Sequence, residues 1–332
     1  MNISRHFKAY VTEETATGLS GSVKNLSTDD LPEGDVLIRV YYSSLNYKDA
    51  LSATGNKGVT KNYPHIPGCD AAGEIIESNS PELPEGLEVI VTGYDLGMNT
   101  FGGFSQYIRV PADWVVPKPK NLTLKESMML GTAGFTAGLA LYKLQLNNQT
   151  PEQGKVIVTG ATGGVGGIAI QMLSKTGYDV IAATRKTAQN AYLKNLGASE
   201  IIDATELTTS SKPPLQKQQW AGGIDTAGGE ILVNLLKKCN LHGNIITCGN
   251  AYSADLNMTV LPFILRGINL LGVTASNTPM PLRQHIWQQL SGPLKPDQLT
   301  SICKTIHLED LSDNIQEMLN GNITGRVLVS CE

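Results

Sequence analysis

Val156-Ile157-Val158-Thr159-Gly160-Ala161-Thr162-Gly163-Gly164-Val165-Gly166 decides the fold of this chain. It reads as a short buried β-strand, a glycine-rich turn and the start of an apolar helix, Gly167 to Leu173. Backbone N–H groups at a helix N-terminus carry partial positive charge, and glycines let a pyrophosphate approach them closely. Strand, turn and helix in this order form a dinucleotide-binding device. The glycine spacing departs from G-x-G-x-x-G, so the order of elements carries the argument. The alternative is a plain strand-to-helix turn in another α/β protein.

The next strand, Val180-Ile181-Ala182-Ala183, bears on the cofactor. About twenty residues past the glycines, an NAD-binding unit usually has an acid that accepts hydrogen bonds from the ribose. Here the residues are Thr184-Arg185-Lys186. Two cations and a hydroxyl suit a 2′-phosphate through charge-assisted hydrogen bonds, and no carboxylate is there to repel it. Asp179 lies at the wrong end of the strand. NADPH is therefore expected over NADH, against the alternative of a solvated basic turn.

The chain of 332 residues is long enough for one large domain or two ordinary ones. At 41% hydrophobic and 17% charged it has the balance of a soluble globular protein. A net charge of −4 argues against a general nucleic-acid binder. No apolar run is long enough to span a bilayer, and Met1 to Lys8 lacks the apolar core of a signal peptide. Cys69, Cys239, Cys248, Cys303 and Cys331 are scattered, with no C-x-x-C pair and no disulfide framework. A reducing cytoplasm is the expected location.

The first part of the chain reads as short strands and turns: 36–41, 72–77, 88–92, 103–110 and 114–116. That spacing suggests a small antiparallel barrel or sandwich. Leu124 to Leu146 is rich in Ala, Leu and Met, with Gly131, Gly134 and Gly138 marking breaks or close packing. A regular β–α alternation follows, with strands expected at 156–160, 180–184, 200–203, 223–227, 244–248 and 268–273. Helices are expected at 188–196 and 230–239. Six parallel strands complete a Rossmann sheet. After Thr274 helices are expected near 281–290 and 311–319, then a strand at 325–329 that returns to the first domain. The fold class is thus α/β, a doubly wound parallel Rossmann sheet with a β-rich barrel. The domains are read as 1–125 with 275–332, and 126–274.

This organisation resembles the medium-chain dehydrogenase/reductase superfamily, with a GroES-like barrel and a Rossmann domain. Ser44-Leu45-Asn46-Tyr47-Lys48-Asp49-Ala50-Leu51 and Pro67-Gly68-Cys69-Asp70-Ala71-Ala72-Gly73 look like its zinc-free quinone-oxidoreductase branch. Gly131-Thr132-Ala133-Gly134-Phe135-Thr136-Ala137, Leu261-Pro262-Phe263-Ile264-Leu265-Arg266 and Gly325-Arg326 narrow the resemblance to the bacterial acrylyl-CoA reductases and their quinone-oxidoreductase-like relatives. By position, the resemblance puts Tyr47 and Thr136 at the cofactor and Tyr47 beside the nicotinamide. It assigns Thr162, Gly163, Gly164 and Val165 to the pyrophosphate and Thr184, Arg185 and Lys186 to the 2′-phosphate. Asn250 and Ile264 line the cofactor channel. Two positions depart: Ala204 replaces an arginine near the adenine, and Ala275 a serine for which Ser276 is a substitute. The family implies a homodimer, with the strand Ile268 to Val273 pairing across a two-fold axis.

Many members of the superfamily carry catalytic zinc, which needs about three protein ligands and an open position. Here the first ligand position falls near Asn46, a poor ligand, and the usual Gly-His-Glu is Gly68-Cys69-Asp70, with His65 close by. No metal is expected. Without a Lewis acid the substrate must already be electrophilic: an enone, a quinone or an unsaturated thioester. Such substrates develop negative charge on a carbonyl oxygen, and donors aimed there lower the barrier. Asn46, Tyr47 and Lys48 are the candidate donors on the loop after a strand, with Tyr47 and Asn46 taken as catalytic. Tyr47 is also a candidate proton donor, and Lys48 has the alternative of facing solvent. An acrylyl-CoA-like thioester is the first expectation and a quinone the second. Lys57, Lys61, Arg266 and Arg283 are candidates for a basic rim toward CoA. A non-catalytic NADPH-binding redox sensor is the competing class.

Overall fold

The computed structural model describes residues 4–16, 18–210 and 212–332. The chain divides into two compact units. The first runs to Thr132 and resumes over Ser276–Ser291 and Leu299–Glu332; the second is Ala133–Ala275 with Gly292–Gln298.

The first unit opens with an antiparallel hairpin, β1 (His6–Thr15) and β2 (Gly18–Ser27). β2 is polar and mostly half-exposed, and the buried face belongs to β1, with Phe7, Ala9, Tyr10 and Val11 in the core. β3 (Val36–Leu45) is the organising strand, and α1 (Tyr47–Ala53) follows it. Then come β4 (Asp70–Ser78), β5 (Glu88–Thr92), β6 (Tyr107–Val110) and β7 (Val115–Pro117). β3 pairs antiparallel with both β4 and β6, and β4 continues to β5 and β7. Ile38, Leu45, Ile75, Phe104 and Ile108 fill the core of this unit. Tyr47 and Lys48 thus begin a helix and are not on a loop, which corrects the expectation for this segment.

α2 (Leu124–Leu146) is broken at Gly131, whose φ of 50° and ψ of −154° lie outside helical geometry. A Cβ there would stand 2.5 Å from both Asp70 Oδ2 and Ser44 Oγ, so only glycine fits.

The second unit contains β8 (Val156–Val158), α3 (Gly164–Lys175), β9 (Val180–Thr184), α4 (Asn190–Asn195), β10 (Glu200–Asp203), β11 (Trp220–Asp225), α5 (Gly229–Lys238), β12 (Cys239–Thr247), α6 (Leu261–Arg266) and β13 (Asn269–Gly272). The six strands are parallel, in the order β10-β9-β8-β11-β12-β13. This is a doubly wound Rossmann sheet, with its topological switch between β8 and β11. Apolar β8, buried along its whole length, sits at the centre, as parallel sheets covered on both faces require. Ile157, Ile181, Trp220, Leu235 and Ile245 pack its core. α3 begins three residues earlier than the apolar run suggested, since Gly164, Val165 and Gly166 are already helical.

Past Ser276 the chain adds α7 (Met280–Leu290), β14 (Cys303–His307), α8 (Leu311–Leu319) and β15 (Arg326–Ser330) to the first unit. β15 lies antiparallel to β3, with Leu328 opposite Ser44, and parallel to β14. Among the described residues no helix is long and apolar enough to cross a membrane.

Candidate active site

In the first unit the segment at the end of β3 meets the start of β4 around a buried polar cluster. Asp70 is fully buried and accepts hydrogen bonds from Ser44 Oγ (2.5 Å), Asn46 Nδ2 (2.8 Å), Thr132 N (2.9 Å) and Thr132 Oγ1 (2.6 Å). The break at Gly131 is what turns the Thr132 N–H toward this carboxylate. Asn46 is the N-cap of α1. Its backbone N–H donates to Asp49 Oδ2 (2.8 Å), and the Cys69 N–H donates to Asp49 Oδ1 (2.8 Å). The Asn46 amide nitrogen also reaches Asp49 Oδ2 (3.2 Å), Cys69 Sγ (3.4 Å) and the Ser44 carbonyl (3.1 Å). Its amide oxygen accepts from Arg326 Nη1 (3.1 Å), and Arg326 Nε donates to the Met129 carbonyl (3.0 Å). Asn46 therefore bridges two carboxylates and a guanidinium.

Burial and then the neighbouring Asp70 push the Asp49 carboxyl up to about 6, against the donors from Asn46 and Cys69. Burial, with Asp49 and Asp70 adding to it, holds the Cys69 thiol well above its ordinary value. A zinc ligand set needs a thiolate and lone pairs free of other donors. Asn46 aims N–H at both Cys69 and Asp70, so donors occupy the lone pairs a metal would need. His65 packs edge-on against Tyr63 and Phe101, and burial lowers its pKa. These residues do not fit a metal. Among the described residues there is no group of three or more His, Cys, Asp or Glu that could hold one.

Tyr47 is 45% exposed. Lys48 is half-buried, and its Nζ donates to Ser276 Oγ (3.1 Å). The Ser276 carbonyl in turn accepts from Tyr94 N (3.0 Å) and Arg283 Nη2 (3.0 Å). Ser276, considered as a cofactor-side serine, thus accepts from Lys48 through its hydroxyl oxygen. Arg283 is completely buried, donates to Thr92 (2.7 Å to its carbonyl) and lies over the Tyr94 ring. Arg266 binds the Lys237 and Cys239 carbonyls (2.8 and 2.9 Å). Neither arginine forms the basic rim that the sequence suggested, because each caps backbone carbonyls. Lys57 and Lys61 are exposed neighbours, Lys57 Nζ reaching the Lys61 carbonyl (3.1 Å).

In the Rossmann unit, Gly160 has φ of 57° and begins the turn. Thr162 is buried. Gly163 caps α3 with no side-chain hydrogen bond, and no acid stands in the first turn, where Gly164 and Val165 lie. A Cβ on Gly166 would come 2.4 Å from the Gly160 carbonyl, so glycine alone permits this tight turn. The arrangement fits a pyrophosphate: backbone amides and a helix N-terminus with no carboxylate against them. Across the switch point Thr159 Oγ1 donates to Asp225 Oδ1 (2.7 Å). Thr184 is buried at the end of β9, and its Oγ1 accepts from the Lys186 N–H (3.0 Å). Arg185 is exposed. Burial, then the Arg185 charge, lowers the Lys186 pKa. Thr136 and Ala204 are buried; Asn250 and Ile264 are exposed.

Two family models match the chain: "Alcohol dehydrogenase GroES-like domain" over residues 32–120 and "Zinc-binding dehydrogenase" over 164–292. The chain is 46% identical over 328 residues to "Putative quinone oxidoreductase YhfP" of Bacillus subtilis, covering 98% of this chain and 99% of that one. It is 39% identical over 325 residues to the acrylyl-CoA reductase AcuI of Ruegeria pomeroyi, covering 97% and 98%. Among solved structures, E. coli YhdH with bound NADPH has a TM-score of 0.95 at 40% identity, covering 98% and 100%. B. subtilis YhfP with NAD bound also has 0.95, at 46% identity, covering 98% and 99%.

The raised carboxyl of Asp49 predicts a distinct pH dependence of stability. Its folded pKa of about 6 exceeds the unfolded value, so between about pH 4 and 6 the folded state holds a proton that the unfolded chain has lost. This group's contribution to stability therefore falls as pH rises through that window, by up to ~1.4 kcal/mol per unit, and is level above it. Denaturant titrations of wild type and Asp49→Asn across pH 4–8 check this. The difference in their slopes is expected between pH 4 and 6 only.

Proposed function

The chain belongs to the medium-chain dehydrogenase/reductase superfamily, among its quinone-oxidoreductase and acrylyl-CoA-reductase members, and we propose that it reduces activated conjugated double bonds with NADPH. The observation that carries this reading is the Asn46 amide pinned between Asp49 and Asp70. Hydrogen bonds fill the cluster, so the protein offers no Lewis acid there to activate a plain ketone or alcohol. Acceptors that are electrophilic by themselves suit such a site. An α,β-unsaturated thioester of the acrylyl-CoA kind is the first choice. The R. pomeroyi relative's name supports it, as does the exposed Lys61 as a partner for a CoA phosphate.

Bound NADPH supplies the hydride. The amides at the start of α3, with Thr162, Gly163, Gly164 and Val165, hold the pyrophosphate; Thr184, Arg185 and Lys186 hold the 2′-phosphate. Thr136, Asn250 and Ile264 line the rest of the cofactor site. Tyr47 stands at the reacting carbons and returns a proton to the substrate's α-carbon after the hydride has added to the β-carbon. Asn46, whose donors are directed inward, positions Tyr47 through the N-cap of α1 and acts on the reaction only in that way. The reducing cytoplasm is the proposed location. A homodimer is proposed through β13, which pairs with β12 on one side and is the edge of its sheet. Light scattering is expected to give twice the chain mass of 35.6 kDa.

NADPH is expected to bind at least about tenfold more tightly than NADH, from two charge-assisted contacts of roughly 1.5–3 kcal/mol each. Fluorescence titration checks it, and Arg185→Ala with Lys186→Ala should erase the preference. The NAD-bound B. subtilis relative makes this a discriminating measurement, since equal affinities would remove the 2′-phosphate assignment.

The function itself is tested by NADPH oxidation with acrylyl-CoA, crotonyl-CoA and a quinone side by side. Steady turnover, fastest on acrylyl-CoA, is expected. A higher kcat/KM on the quinone would move the assignment to quinone reduction, and binding of NADPH without turnover would make the chain a sensor.

A further inference from the structure

We propose that Lys48 is the cation that stabilises the negative charge formed on the substrate's carbonyl oxygen, and that Ser276 holds it in place. The proposal rests on the reductase reading above and names a further residue for that reaction.

Three polar side chains open α1, and the structure separates them. The amide nitrogen of Asn46 has two hydrogens and four acceptors within reach, so nothing remains for a ligand. Tyr47 is exposed beside it. Lys48 has three N–H donors, and the Ser276 hydroxyl accepts one of them. Among the described residues Lys48 is in no ion pair. Some lysines elsewhere on the chain are paired with acids, as Lys155 is with Glu200 at 2.6 Å, Lys118 with Glu88 at 3.1 Å and Lys24 with Glu13 at 2.5 Å. A serine fixes the ammonium without neutralising it.

The anchor is itself immobilised. The Ser276 carbonyl accepts from the Tyr94 N–H and from Arg283, a wholly buried guanidinium that also binds Thr92. A half-buried, fixed, unneutralised cation beside Tyr47 has the features of an oxyanion-stabilising group.

The step balances as follows. Hydride adds to the β-carbon of the conjugated acceptor, the π pair moves to join the α-carbon to the carbonyl carbon, and the carbonyl pair moves to oxygen. Lys48 donates a hydrogen bond to that oxygen and keeps its proton. The Tyr47 hydroxyl delivers a proton to the α-carbon, the carbonyl re-forms, and solvent reprotonates Tyr47. The cation matters most where the enolate is least stable by itself. A quinone places the new charge on an aromatic oxygen, so it depends less on Lys48.

Lys48→Met, Lys48→Arg and Ser276→Ala in the full chain test this, with NADPH and with acrylyl-CoA or a quinone as acceptor. Lys48→Met should lower kcat on acrylyl-CoA by about 10²-fold, with an unchanged dissociation constant for NADPH. The loss on the quinone should be under about tenfold, Lys48→Arg should recover most of the activity, and Ser276→Ala should fall between. Equal losses on both acceptors would indicate a structural role and overturn the assignment, as would a fully active Lys48→Met. Absence of turnover by the wild type on every acceptor would instead sink the reductase reading, and this assignment with it.

Discussion

The burial of the Asp70 carboxylate is the constraint on which the first unit depends. A carboxylate out of water needs a donor for each of its lone pairs, or its burial costs several kcal/mol. The donors come from three elements: Ser44 near the end of β3, Asn46 at the N-cap of α1, and both the backbone and the hydroxyl of Thr132 in α2. α2 can present its backbone N–H only where its own ladder is interrupted, and Gly131 is that interruption. A single buried charge thus links the break in α2 to the starting point of α1, and through α1 to the places of Tyr47 and Lys48.

The same cluster fills with hydrogen bonds the positions where the sequence offered candidate metal ligands. The second unit matches a family described as zinc-binding, and the first keeps Cys69 and Asp70 at candidate ligand positions. An amide with N–H donors at position 46 changes the outcome. It satisfies the two carboxylates by hydrogen bonding, and burial beside them keeps Cys69 protonated. Under the proposed function, a cluster filled in this way orients its neighbours and leaves the demand for reactivity on the acceptor.

In the Rossmann unit the division of labour is simpler. Gly166 lets α3 begin directly against the turn, and the uncapped start of that helix is electrostatically suited to phosphate. The end of β9 adds two cations 20 or so residues later in the chain but one strand away in space. Burial, and then the Arg185 charge, lower the Lys186 pKa, and under the proposed function these two cations face the 2′-phosphate.

The sequence by itself determined the Rossmann unit and the basic end of β9. Apolar strands, glycine turns and the run Thr184-Arg185-Lys186 are local features, legible wherever backbone preferences and composition act within a few residues. α8 was likewise readable at its full length, 311–319, because its apolar positions recur at helical spacing. Only the tertiary structure revealed the β1–β2 hairpin, in which β1 buries Phe7, Ala9, Tyr10 and Val11 and polar β2 is held largely by pairing with it, and the start of α1 at Tyr47. It also buried Arg283 and tied Arg266 to the Lys237 and Cys239 carbonyls, because a cation's availability depends on which carbonyls surround it. The Asn46–Asp49–Asp70–Arg326 network and the Lys48–Ser276 contact join positions up to 280 residues apart. Contacts of that range are set by how the strands register in the sheet, and no local pattern in the chain records them.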